Sequence, residues 1–427
     1  MKTLLGAAVP LFLSMVSGMV AHLVGSAVLG NQSAATLAAM ALALAVFSPV
    51  AAAVAGGVRG LVPFVAPHAD DPAAALPLLR DARWLSYGVG GLGAAVMVCV
   101  PLIAAASGAP REVVGELGAL PWLLALCVVV LSVGGGANSV LIGLGRSRQV
   151  LWSALSATVV EVALIAGLAP SLGVTGVGLA MLGSAVTGML VSNLALTSVP
   201  GVRGRSSFLP GRPRPRKIAE LAGVGLPLSA TTLIKFGALA VVTYAAARIG
   251  TQSAAAHAIL GSLSGLLMVA ALALAQASVP EIARATDPRQ ARRVNRIAVL
   301  LACAASAFVG GALLLLGDQM IGLFTGDEGV HRAALALVPL LVASSAADGV
   351  QAVMGFGLAG LRRSTWSLGA FSIGYGLLAV VAAPVAASGG LGTLWVAVLV
   401  TNLALVVLQG GGFFLQSARM GTVAAEA

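Results

Sequence analysis

Charge is what this chain has least of. Asp, Glu, Lys and Arg make up 9% of its 427 residues, against roughly 25% in an ordinary soluble domain. A soluble protein of this length needs far more polar surface, so that class is excluded. Hydrophobic residues reach 59%, which excludes intrinsic disorder. Aromatics are scarce at 4%, so the apolar excess is aliphatic and small, with 54 glycines beside it. Small residues of this kind let helices approach closely in lipid. The three cysteines, Cys99, Cys127 and Cys303, lie singly inside apolar runs. That spacing predicts neither a disulfide nor a metal site. No acidic residue precedes Asp70, and only three of the 24 basic residues are lysines.

What the chain has is long apolar runs. A helix crossing the hydrocarbon core needs about 20 largely apolar residues. Twelve runs qualify, at about 4–29, 34–58, 84–107, 117–144, 150–170, 175–198, 218–247, 252–281, 297–317, 332–360, 364–387 and 391–415. The expected fold class is an all-α membrane protein with twelve transmembrane helices. Lys2 followed by an apolar stretch resembles a secretory signal, but the run is long enough to span.

Charge placement supports that count. On the side shared with the N-terminus fall Lys2, Arg59, Arg80, Arg83, Arg146, Arg148, the six basic residues of 203–217, the five arginines of 284–296, Arg362, Arg363 and Arg419. These are 20 of the 24; the opposite side holds Arg111, Arg248 and Arg332, and Lys235 lies inside a helix. The positive-inside rule then predicts both termini in the cytoplasm of a cell whose inner membrane holds the protein. The net charge of +10 is read as a topology signal, with no nucleic-acid partner. The lipid bilayer is the expected surrounding. Trp84, Trp152 and Trp366 each open a run on the cytoplasmic side, as interface anchors do.

The stretch 199–217 carries prolines 200, 210, 213 and 215 beside six basic residues, so it cannot span and reads as a cytoplasmic linker, with anionic headgroup binding as its alternative role. It divides the chain into a six-helix bundle at 1–198 and another at 218–415, followed by a cytoplasmic tail at 416–427. The halves repeat each other. GNQSAA at 30–35 answers GTQSAA at 250–255, Val62-Pro63 answers Val279-Pro280, and Asp71-Pro72 answers Asp287-Pro288. Gly143-Leu144, Arg146 and Ser147 answer Gly360-Leu361, Arg363 and Ser364. Most offsets are 216–217. An even number of helices per half gives both copies one orientation, related by a pseudo-two-fold along the membrane normal with a central cavity between them. That is a transporter arrangement.

The second half reads GLPLSATTLIKFGALAVVTYAAARIGTQSAAAHAI, then ALAQASVPEIARATDPRQAR, then ADGVQAVMGFGLAGLRRST. In order and spacing these segments resemble the seventh, eighth and tenth helices of the multidrug and toxic compound extrusion (MATE) family. The resemblance covers nearly the whole chain and is weaker in the first half. It implies a twelve-helix secondary exporter of organic molecules in exchange for sodium or protons. Such family members often carry an aspartate in the first helix and a glutamate eight residues after the proline of GLP. Here the first is absent: aligned on Gly30 the position is His22, aligned on Pro10 it is Gly25. The second is Lys235. The tenth-helix aspartate remains as Asp348, followed by Gln351, while Ala359 stands where the family has the arginine of LRG.

Ionisable groups at bilayer depth are candidate functional sites, because burying them costs several kcal/mol. They are His22, Glu161, Lys235 and Asp348. Lys235 lies too deep in its run to snorkel comfortably. The resemblance places Lys235 opposite Asp348. A lysine there would fill the space of a coupling sodium, leaving the proton favoured over sodium as the coupling ion; a purely structural salt bridge is the alternative. His22 is a third coupling candidate, able to titrate near neutral pH. Glu161, Gln276, Asn138 and Gln351 are substrate-contact candidates, with interhelical hydrogen bonding as the alternative. His257 reads as structural. Pro10, Pro49 and Pro339 are interior enough to kink their helices.

An acid-poor interior predicts neutral or weakly anionic amphiphiles as the small-molecule substrates, in preference to organic cations. The expected protein is an antiporter that acts as a monomer, is not an enzyme and uses no cofactor or metal. No HExxH, GxSxG or paired-aspartate motif falls on its helices. A lipid-linked oligosaccharide or lipid flippase of the same superfamily is the alternative function. One lysine offers little for a pyrophosphate, and twelve helices fit the exporter better.

Overall fold

The computed structural model describes residues 2–30, 34–106, 111–202 and 211–420. Its described regular structure is helical throughout. The helices are α1 (Lys2–Gly30), α2 (Ala34–Arg59), α3 (Val62–Val65), α4 (Leu76–Val98), α5 (Val100–Ala106), α6 (Arg111–Glu116) and α7 (Leu120–Gly143). They continue with α8 (Ser147–Thr197), α9 (Pro215–Ile249), α10 (Thr251–Ala283), α11 (Pro288–Gly322), α12 (Glu328–Gly360) and α13 (Ser364–Ala418).

Among the described residues nine helices are long and apolar enough to cross a membrane. Two of these, α8 with 51 residues and α13 with 55, are each a pair of spans joined at a glycine. The α4–α5 pair, bent by 42° across Cys99, supplies one more. Twelve spans result, as the apolar runs predict. The two internal breaks sit at Gly173 (φ 54°) and Gly390 (φ 69°), 217 residues apart. Only glycine adopts such backbone without strain. The helices α1, α2 and α12 run on unbroken through Pro10, Pro49 and Pro339.

Helix edges extend beyond the apolar runs where polar residues continue the periodicity. The first nine residues of α11 carry Arg289, Arg292, Arg293 and Arg296 before its apolar part, with the Asp287 carboxylate accepting from the Gln290 N–H at 2.8 Å as its cap. Trp84 does not begin its helix but lies two turns inside α4. Its indole N–H donates to the Gly211 carbonyl at 2.9 Å.

Two compact units divide the chain: Val9–Thr232, and Leu233–Ala427 together with Met1–Ala8. Each is organised around one central helix. In the first, α7 packs against α2, α4 and α8; in the second, α12 packs against α10, α11 and α13. Both central helices end in the same hydrogen-bonded turn. The Arg146 N–H reaches the Leu141 carbonyl at 2.7 Å, and the Arg363 N–H reaches Leu358 at 2.8 Å. This C-terminal motif wants a left-handed residue just past the helix. The first copy supplies Gly145 (φ 73°), the second Arg362 (φ 59°). Arginine there costs about 1 kcal/mol more than glycine. Arg362→Gly is therefore expected to raise stability by about 1 kcal/mol, read as a later thermal transition of the detergent-solubilised protein.

The stretch before α9 is not freely solvated along its whole length. Arg214 forms an ion pair with Asp81, a residue 1% exposed, and also donates to the Pro77 carbonyl at 2.9 Å. That pairing holds the guanidinium pKa above its usual value, through the hydrogen bond to the carboxylate. Arg83 also departs from a purely topological role. It is buried and donates to the Asn193 side chain.

Candidate functional site

In the second unit the sequence-predicted pair meets. Lys235 on α9 places its Nζ 2.6 Å from Asp348 Oδ1 and 2.7 Å from Oδ2 on α12. The side chains are 23% and 11% exposed respectively. Asp348 and Gln351 are three residues apart on one helix and share a face. The Gln351 amide donates to Asp348 Oδ1 at 2.7 Å. The carboxylate is thus held by an ammonium on both oxygens and an amide on one. An ion pair removed from water keeps its charges only with such full hydrogen bonding.

A second tier of polar groups, which the sequence does not single out, lies beside the pair. The Lys235 ammonium sits 5.9 Å from the centre of the Tyr375 ring. The Tyr375 hydroxyl donates to Asn402 Oδ1 at 3.0 Å, and Asn402 donates to the carbonyl and hydroxyl of Ser344, both at 3.2 Å. Tyr375 and Asn402 belong to opposite arms of α13. They lie 15 residues before and 12 after the break at Gly390, which brings them level. Ser344 is one turn before Asp348 on α12. Around these groups packs an apolar core that includes Val242, Leu260, Leu263, Leu341, Leu378 and Leu405.

The other sequence candidates are placed separately. Glu161 on α8 accepts from the Ser184 hydroxyl at 2.8 Å across the α8 break, an interhelical bond rather than an unaccompanied charge. Asn138 on α7 accepts from Ser192 at 2.7 Å, and Ser192 in turn lies 2.8 Å from Ser153 Oγ. Gln276 is buried, and its amide nitrogen finds no acceptor among the described residues. His257 sits 3.2 Å from the Thr243 hydroxyl and is tilted against the Trp395 ring with 5.7 Å between centroids. The side chain of His22 lies outside the described residues, as does most of the first GxQSAA copy. No group of three His, Cys, Asp or Glu side chains able to hold a metal occurs among the described residues.

Residues 227–385, which contain Lys235, Asp348, Gln351 and Tyr375, match the MatE family model. Related proteins agree. The chain is 24% identical over 377 residues to the "Probable multidrug resistance protein NorM" of Aromatoleum aromaticum, covering 83% of this chain and 79% of the relative. It is 30% identical over 305 residues to the protein of that name from Xanthomonas campestris, covering 67% and 65%. The chain belongs to the MATE family. Solved structures share the fold. A MOP-superfamily transporter from Pyrococcus furiosus, described as having a binding pocket of reversed polarity, superposes with a TM-score of 0.86 at 17% identity over 98% of this chain and 96% of that one. A MATE transporter in an outward-facing conformation gives 0.85 at 18% identity over 99% and 96%. This MATE protein is accordingly a multi-pass membrane transporter. At its site Lys235 stands where the family resemblance implies a glutamate.

Proposed function

We propose that this MATE transporter is a multidrug exporter of the inner membrane that works as a proton antiporter, and that Lys235 and Asp348 are its coupling pair. The supporting observation is the contact of the Lys235 ammonium with both Asp348 oxygens. Two carboxylates facing each other would attract a cation. A carboxylate whose lone pairs are already taken by an ammonium and an amide has little left for sodium. A proton, by contrast, can add to Asp348 and cancel its charge. Lys235 then loses its counter-ion and must move or find another partner, because an uncompensated buried charge is strongly destabilising. In this reading the alternation between paired and released lysine links proton uptake to substrate release.

Neutral and weakly anionic amphiphiles are the preferred substrates, since the unit offers one neutralised carboxylate and no surplus negative charge at the pair. The protein acts as a monomer, with both termini in the cytoplasm, the side that carries 20 of its 24 basic residues. Vesicles carrying the purified transporter test the reading. Export should be driven by a proton gradient, persist without sodium, and favour a neutral dye over ethidium. Sodium-driven transport, or strong ethidium export, would overturn it.

A further inference from the structure

At one end of the second unit, the first two turns of α11 and the last turn of α13 enclose an open cleft of about 810 Å³. Its lining includes Arg289, Arg292, Arg293 and Ala418. We infer that this cleft is a binding site for the headgroup of an anionic phospholipid.

Depth is the first argument. The apolar run of α11 starts near residue 297 and that of α13 ends near 415, so the cleft residues lie just outside both runs. At 1.5 Å per residue, Arg293 sits about 6 Å beyond the start of the α11 run. That is the level at which a bilayer carries its headgroups. Chemistry is the second. Arg289 and Arg293 are exposed and form no ion pair among the described residues. Among the described lining residues the one carboxylate, Asp287, accepts from the Gln290 N–H at 2.8 Å and caps α11. Pre-organisation is the third. Arg292 is fixed by bonds to Ser417 Oγ and the Phe414 carbonyl, both at 2.9 Å, and lies 3.7 Å above the centre of the Phe414 ring. Those bonds use Nε and one terminal nitrogen, leaving the other nitrogen free to donate to a phosphate. Phe414, Leu415 and Leu300 are all exposed, within two turns of the lining residues Ala418 and Arg293 on their own helices and toward the apolar runs, where acyl chains would continue from a bound headgroup. The arginines of 284–296 count as topology signals in the sequence. The cleft gives three of them a specific ligand as well.

Native mass spectrometry of the full-length protein in detergent, with phosphatidylglycerol or phosphatidylcholine added, is the test. Phosphatidylglycerol should be retained in preference, and Arg289→Gln with Arg293→Gln should weaken retention roughly thirtyfold, at about fivefold per arginine near a membrane surface. Arg212→Gln with Arg216→Gln, outside the cleft, should leave it unchanged. Equal retention of both lipids, equal loss in the control, or displacement by inorganic phosphate would overturn the inference. Should the double variant insert poorly, the unaltered chain decides. A photoreactive phosphatidylglycerol must label residues 287–296 or 414–419, and labelling confined to other segments overturns the site.

Discussion

Asp348→Asn will abolish proton-driven export and lower stability together. The substitution leaves the Lys235 ammonium without the carboxylate that contacts it at 2.6 and 2.7 Å. Breaking a buried pair from one side costs about 3–5 kcal/mol. The amide of asparagine still accepts a hydrogen bond but carries no compensating charge. Stability alone does not separate a coupling pair from a structural one, so the double variant Lys235→Met with Asp348→Leu matters more. Replacing both partners by apolar groups removes the desolvation cost of both, and such exchanges are often neutral or stabilising by about 1–4 kcal/mol. The expected result is a double variant that folds as well as the parent and does not transport. Transport by a well-folded double variant would make the pair a structural strut. Thermal unfolding in detergent and vesicle uptake, run on the same preparations, give both readings.

Gly176→Val will cost about 2–3 kcal/mol and sharply reduce the yield of folded protein. After the left-handed Gly173 the two arms of α8 fold back on each other. A Cβ built on Gly176 would lie 2.5 Å from the Leu168 carbonyl oxygen and 2.9 Å from the Ala169 nitrogen. Both are backbone atoms, so no side chain can swing aside, and the arms themselves must separate. The Glu161–Ser184 bond joins these arms further along and should weaken with them. Gly167→Ala is the matched control, since nothing lies within 4 Å of the Cβ it would add. It should be tolerated, or slightly stabilising because alanine favours helix over glycine by about 1 kcal/mol. Size-exclusion profiles and melting temperatures of the two variants give the comparison.

The span count was legible because hydropathy over about 20 residues is a property of the sequence alone. The breaks inside α8 and α13 were legible for a related reason. Small polar and glycine residues near 171–174 and 388–390 interrupt the apolar runs where Gly173 and Gly390 turn the chain. The extra turns at the start of α11 were not, because arginine-rich helix beyond the hydrocarbon looks like loop to a hydropathy reading. Lys235 and Asp348 stood out as charges at bilayer depth. That they touch came from the family resemblance, since no spacing rule joins residues 113 positions apart. Tyr375, Asn402 and Ser344 were invisible for the opposite reason. Each is one ordinary polar residue in an apolar run, and only the fold of α13 brings the first two level with α12. In the sequence Arg83 and Arg214 count only as topology signals, whereas their buried partners Asn193 and Asp81 also tie them into the protein.

The halves share their glycine hinges but not their ion pair. The positions 217 residues before Lys235 and Asp348 hold Gly18 and Leu131. With the proposed proton coupling, a pair present in only one copy would take up one proton per cycle, and that would set the electrical character of transport. Exchange of one proton for a neutral molecule moves one net charge across the bilayer, and exchange for a monoanion moves two. Each charge draws about 2.3 kcal/mol from every 100 mV of membrane potential. Export coupled in the proposed way would therefore be electrogenic, and the voltage across the membrane, rather than the pH difference alone, would set how steep a substrate gradient it sustains.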